Sequence, residues 1–170
     1  AFKFLKDLES DNNRDWFKAN KSRYDNSIKE PAIRFITDFG PQLKKLSPNF
    51  RADPRPVGGS MFRIYRDVRF SKDKSPYKTA TGIQFRHDLG KDAHAPGFYL
   101  HIAPGDCFVA LGCWHPDGPS LRKMREAIAE DPKAWKRAVG GKRFRDTFAL
   151  EGESLKRPPG DFDSEHPLIE

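Results

Sequence analysis

Over the first fifty positions apolar residues recur at three- and four-residue intervals, the spacing of one helix face. Phe2, Phe4, Leu5 and Leu8 predict a short amphipathic helix, stopped by the polar run Ser10-Asp11-Asn12-Asn13. That run also suits the cap of a second helix carrying Trp16, Phe17, Tyr24 and Ile28. Pro31 fits the first turn of a third helix with Ile33, Phe35, Ile36, Phe39 and Leu43, which Gly40-Pro41 is expected to kink or split. After the Pro/Gly-rich connector Asp53–Gly59 the pattern turns to alternation. Met61–Tyr65 and Thr79–His87 predict two strands, and Phe98–Ala103 and Cys107–Trp114 flank the hairpin signal Pro104-Gly105-Asp106. Helical spacing returns with Leu121, Met124 and Ile128, and Asp131-Pro132 opens a short helix holding Trp135 and Val139. From Gly140 onward the chain is mixed and contains Pro and Gly. Helices, then a mainly antiparallel sheet, then helices predict an α+β fold. One domain is expected over 1–170, with its ends trimmed by a few residues.

Residues two apart on a strand share a face, so alternation also sorts side chains. Phe62 and Ile64 are expected on one side of the first strand, with Met61, Arg63 and Tyr65 on the other. Ile83 and Phe85 oppose Gln84 and Arg86; Phe98, Leu100 and Ile102 oppose Tyr99 and His101. One sheet face can then pack on helices. The second would carry Arg63, Tyr65, Gln84, Arg86, Tyr99 and His101, a set of donors and rings with one group that titrates near neutrality. A plain solvated face is the competing reading, common in antiparallel sheets.

Candidate chemistry concentrates in Arg63–Thr79, where basic residues stand among aromatics with only Asp67 and Asp73 for acids. Roofing the polar face, the Arg66–Lys78 loop would form a shallow anion cleft. Arginine grips phosphate bidentately, while lysine offers a point charge. The competing structure is internal: Asp67 and Asp73 can pair with Arg66, Arg69, Lys72 or Lys74 and brace the loop. Arg63, Arg66 and Arg69 recur every three residues and so are expected to point in different directions. Gly58-Gly59 lacks the glycine-lysine-serine/threonine pattern of a phosphate-cradling P-loop.

Across 170 residues the net charge is +7 and fourteen residues are phenylalanine. The first favours anionic partners, and the second excludes a disordered tail. Cys107 and Cys113 are too few for a disulfide scaffold, and on one strand they would stand roughly 20 Å apart, so reduced thiols are expected. No apolar run reaches a membrane span and no signal-peptide core is visible. A cytoplasmic protein without membrane contact is expected.

Five histidines, His87, His94, His101, His115 and His166, lack the spacing that sets two imidazoles on one helical face. Neither a metal nor a cofactor is expected. Cys113 and His115 project in parallel from a strand, which fits a buried thiol better than a catalytic dyad. Asn12 and Asn13 could reach the sheet's polar face with Arg14, but helix capping with Trp16 and Phe17 in the core is the better account.

Taken together, Phe4-Leu5, the run Asn12–Phe17, Met61–Thr79, Gly97–Ile102, Gly112–Pro116 and Glu165-His166-Pro167 resemble the widespread uncharacterised family called domain of unknown function 2461. The resemblance spans nearly the whole chain. It implies a single compact domain and brings no reaction, substrate or catalytic residue with it.

The resulting expectation is a domain that binds a phosphate-bearing ligand, a small molecule or nucleic acid, through Arg63, Arg66, Arg69, Lys72, Lys74 and Lys78. Arg86, Tyr99 and His101 would adjoin them, with His101 the candidate for any proton transfer. Nucleic acid would need exposed aromatics, for which Tyr65, Phe70 and Tyr77 are available, Phe70 being better explained by core packing. The alternative is a protein-interaction or scaffold domain whose basic loop is internally salt-bridged. Whether it is an enzyme stays open.

Overall fold

Helix α1 (Phe2–Ser10) buries Phe4, Leu5 and Leu8, while Phe2, expected beside them, is exposed. The Asn13 side chain accepts a hydrogen bond from the Trp16 N–H at 2.8 Å and caps α2 (Arg14–Ala19), as the polar run predicts. The second predicted helix is interrupted at Asn20. It continues as α3 (Lys21–Tyr24) and passes through one π-turn, Asp25–Lys29, into α4 (Glu30–Leu46). Asp25 holds that turn from outside, with Lys21 at 2.5 Å and Lys29 at 3.7 Å. The expected break at Gly40-Pro41 does not occur, because α4 runs through Pro41 to Leu46. Leu43 is buried beyond the proline, which secures the last turn against the missing hydrogen bond.

Three antiparallel strands follow in the order β1 (Thr81–Arg86), β2 (Gly97–Ala103), β3 (Asp106–Gly112). Ile83 pairs with Leu100 and Phe85 with Phe98; beyond them Leu100 meets Val109 and Phe98 meets Leu111. The β2–β3 loop is Pro104-Gly105, with Gly105 at φ 82°, a left-handed conformation that glycine adopts without strain. As alternation predicts, Ile83 and Phe85 share the helix-covered face. Phe85 lies 5.2 Å from Phe39 and 6.3 Å from Phe35, ring centre to ring centre. The core thus lies between α1–α4 and β1, and Phe98 and Leu100 pack at its margin. The cover does not reach β3, whose seven residues are all exposed.

The predicted strand Met61–Tyr65 is not a strand. Met61 bridges Ile83 and Tyr65 bridges Tyr77, so the segment changes partner midway. Phe62 N–H bonds Gly82 O at 2.9 Å, whereas Arg66 N–H bonds Pro76 O at 2.9 Å. Alternation fails accordingly: Met61 and Ile64 are both buried, while Phe62 sits against Tyr99 on the second face. Tyr65, expected on that face, turns instead to Phe17 and Tyr77.

The structure, a computed structural model, describes residues 1–90, 94–152, 155–160, 162 and 165. The run Glu165-His166-Pro167 therefore falls outside the described residues from His166 on. The chain divides into two compact units, Ala1–His115 and Pro116–Glu170. The second contains α5 (Gly118–Glu130), α6 (Pro132–Gly140) and α7 (Lys142–Arg145), the first two capped by Asp117 and Asp131. Leu121 and Ile128 of the predicted stripe are half-buried and Met124 is exposed. Among the described residues no helix is long and apolar enough to cross a membrane. The architecture is α+β.

Candidate functional site

The basic segment is held by its two ends. Lys78 N–H bonds Ile64 O at 2.8 Å, which with the Arg66–Pro76 bond closes a short two-stranded neck. The Asn12 side chain grips the same neck: its Nδ2 donates to Tyr77 O at 3.0 Å and its Oδ1 accepts from Tyr77 N–H at 3.1 Å. The Tyr77 ring stacks on Phe17 at 4.1 Å inside the core. Asn12 thus serves the loop and Asn13 the helix, a division of labour that capping preference alone does not reveal.

Beyond the neck the loop satisfies itself. Arg66 pairs with Asp73, and Arg69 forks onto Asp67, with Nη2 at 2.6 Å from Oδ2 and Nε at 2.9 Å from Oδ1. Lys74 Nζ donates to Val68 O at 2.9 Å, and Ser75 donates its N–H and hydroxyl to Asp73. Hydrogen bonds from Arg69 push the Asp67 carboxyl down to about 2, and those from Arg66 and Ser75 hold Asp73 well below the usual carboxylate range. Arg66 and Arg69 therefore point at different acids, as their three-residue spacing predicts. Lys72 is exposed and makes no ion pair among the described residues.

Phe70, expected in the core, is 95% exposed, because the loop is braced by its own charges and no element among the described residues covers it. Its ring is met by the Arg69 guanidinium at 5.8 Å. Tyr77 is buried and Tyr65 exposed.

At the neck the chemistry differs. Lys78 is half-buried, its Nζ 5.5 Å from the Phe62 ring centre and donating to the Arg63 carbonyl at 3.0 Å. Burial first, and the Arg63 charge second, lower its pKa. Neither cation has an ion-pair partner among the described residues. Asp67 also feels Arg63, but both its oxygens are engaged by Arg69.

Phe62 leads onto the second face of the sheet, where its ring lies 6.1 Å from Tyr99. Gly82 makes this approach feasible, since a Cβ there would stand 2.8 Å from the Tyr99 hydroxyl and 3.0 Å from Phe62. Tyr99 Oη lies 3.0 Å from His101 Nδ1, and His101 Nε2 lies 3.7 Å from Asp106 Oδ2. Burial, then Asp106, raises the Tyr99 phenol. His101 stacks on Phe108, its partner across β2–β3, at 4.8 Å.

Of the sequence candidates, Lys78, Tyr99 and His101 are thus linked through Phe62, and Arg63 joins them through its carbonyl, which accepts from Lys78. Arg66, Arg69, Lys72 and Lys74 make no hydrogen bond, ion pair or ring contact with Tyr99 or His101 among the described residues. Arg86 sits at the far end of β1, opposite Gly97, where it acts on Asp53. The arrangement strings a half-buried ammonium, an apolar ring, a phenol and an imidazole together, the last two within hydrogen-bond distance. Phe62, Gly82 and Asp106 contribute without a place among the sequence candidates, and Asn12, assigned to helix capping by its sequence, holds the neck instead; the aromatic next to a basic run is the available signal for Phe62.

Comparison with curated proteins and with solved structures returned no match. The family suggested by the motifs is upheld over the full chain: the protein belongs to the family described as conserved hypothetical protein (DUF2461), whose model matches residues 1–170.

Proposed function

We propose that the protein binds a phosphate-bearing or otherwise anionic small ligand where Arg63 and Lys78 meet the second face of the sheet. One observation carries this reading: the half-buried Lys78 ammonium, held on the Arg63 carbonyl, feels the charge of the Arg63 side chain, and neither cation is ion-paired among the described residues. Bringing like charges together in a partly desolvated place costs free energy, and an anion would relieve it. Tyr99 and His101 add a hydroxyl and a ring nitrogen, and Phe62 supplies the apolar wall. Arg66, Arg69 and Lys74 then contribute only a screened background field. The free thiols Cys107 and Cys113 fit a reducing, cytoplasmic setting.

The test is titration of inorganic phosphate at low salt, followed by calorimetry. A charge-assisted hydrogen bond contributes about 1.5–3 kcal/mol, so Lys78→Ala and Arg63→Ala should each weaken binding by about 10- to 150-fold. Binding should also weaken as pH rises through the lowered Lys78 pKa. Unchanged affinity in Lys78→Ala refutes the site. Tighter binding of a single-stranded oligonucleotide would shift the ligand class to nucleic acid.

A second reading is favoured by the ion pairs Arg66–Asp73 and Arg69–Asp67. On it the loop is a braced scaffold for a protein partner. Salt separates the two, since binding to phosphate falls steeply with ionic strength and an apolar protein interface does not.

A further inference from the structure

The two edges of the sheet are finished differently. Along β1, Gln84 N–H bonds Ser60 O at 2.8 Å and Phe62 N–H bonds Gly82 O; at the other end Arg51 N–H reaches Arg86 O at 3.0 Å. Chain therefore covers that edge. β3 has β2 on one side and, among the described residues, no backbone partner on the other. Its pairing with β2 is unbroken from Gly97–Gly112 to Ala103–Asp106, so no bulge turns the edge away. After Asp106 the strand reads Cys107-Phe108-Val109-Ala110-Leu111-Gly112, without charge or proline. Natural edges normally carry one of these protections. Phe108, Val109 and Leu111 are 44%, 60% and 65% exposed.

We propose that β3 pairs antiparallel with β3 of a second copy of this chain, about a two-fold axis through Val109, joining the two sheets into one. The sequence of the strand favours its own copy over an unrelated peptide. With Val109 opposite itself, Phe108 faces Ala110 and Leu111 faces Cys107, so each large side chain meets a smaller one. Asp106 faces Gly112, and no like charges are opposed although each copy carries +7. Cys107, Val109 and Leu111 continue the apolar row of Ile102, Leu100 and Phe98, and the axis doubles that row. The contact is isologous and closes at two copies, and the free backbone edge supplies its hydrogen bonds.

Light scattering on the full chain over a concentration series tests the pairing. The expected mass is twice that of one chain, falling to one chain in Val109→Lys with circular dichroism unchanged, because two ammonium groups would then face each other. A single-chain mass at the highest soluble concentration overturns the proposal, as does a dimer that survives in a folded Val109→Lys. Should that variant unfold, a Val109→Cys change in a Cys107→Ser, Cys113→Ser background decides. Opposed residues in such a pair lie within disulfide reach, so mild oxidation should link the copies. Crosslinking no greater than in Phe70→Cys, an exposed loop control, overturns the pairing.

Discussion

Replacing Asn12 by Ala isolates the anchoring of the basic segment. Two hydrogen bonds disappear, the 3.0 Å donation to Tyr77 O and the 3.1 Å acceptance from Tyr77 N–H, both part-buried. Each leaves a backbone group without its partner. A fully buried group so orphaned costs about 1–3 kcal/mol; water reaches these two in part, which puts the sum at about 2–3 kcal/mol. At about 2–4 °C per kcal/mol for a chain of this size, Tm should fall by about 4–12 °C. Denaturant unfolding followed by tryptophan fluorescence measures the loss.

Asn12→Asp sharpens the test. It keeps an acceptor for Tyr77 N–H but turns a second acceptor toward the Tyr77 carbonyl. At neutral pH it should lose at least as much, and part should return as pH falls, because a carboxylate turned toward the Tyr77 carbonyl has its pKa raised above the ordinary value of about 4. A change below about 0.5 kcal/mol in Asn12→Ala would be indistinguishable from an ordinary surface substitution. The neck would then be held by Tyr77 packing alone, and the anchoring argument would fail.

Acid should loosen the loop. Asp67 has a folded pKa lowered from 3.8 to about 2, so its contribution is complete above the unfolded value and is lost as pH falls through that window. Carboxyl NMR shifts of Asp67 should show it, and a midpoint near 3.8 would contradict the Arg69 fork. Gly82→Ala pushes a Cβ into Tyr99 and Phe62; overpacking of this kind costs about 1–3 kcal/mol, and phosphate affinity should drop with the displaced rings. Wild-type affinity there would detach Tyr99 from the site. Phe85→Ala should cost about 3–5 kcal/mol in denaturant unfolding, since its ring fills the space between Phe35, Phe39 and the sheet. A loss under 1 kcal/mol would mean that α4 does not rest on β1 as described.

Most elements could be read from spacing because their burial is local and periodic: Phe4, Leu5 and Leu8 face one way, and so do Ile83 and Phe85. The reading failed where a segment changes partner. Alternation assumes one neighbour, and residues 61–65 have two. Phe70 was misjudged because hydrophobicity carries no information about whether anything is present to cover it. In the candidate site, Arg63, Lys78, Tyr99 and His101 were legible by type. The choice of which cations Asp67 and Asp73 would occupy was not, although pairing within the loop was foreseen. Asn12 acts on a residue 65 positions away, and the clearance at Gly82 exists only once Phe62 crosses β1. No local pattern encodes either.

The π-turn at Asp25–Lys29 has a consequence for chain length. A π-turn packs one more residue into a helical turn than the α-geometry around it, so the buried faces of α3 and α4, marked by Tyr24 and Ile36, stay aligned despite the surplus. Removing Asn26 should let the turn relax into plain α-helix with both faces still inward. At this point alone in the helical layer, a one-residue deletion would restore regularity rather than rotate half the core into solvent.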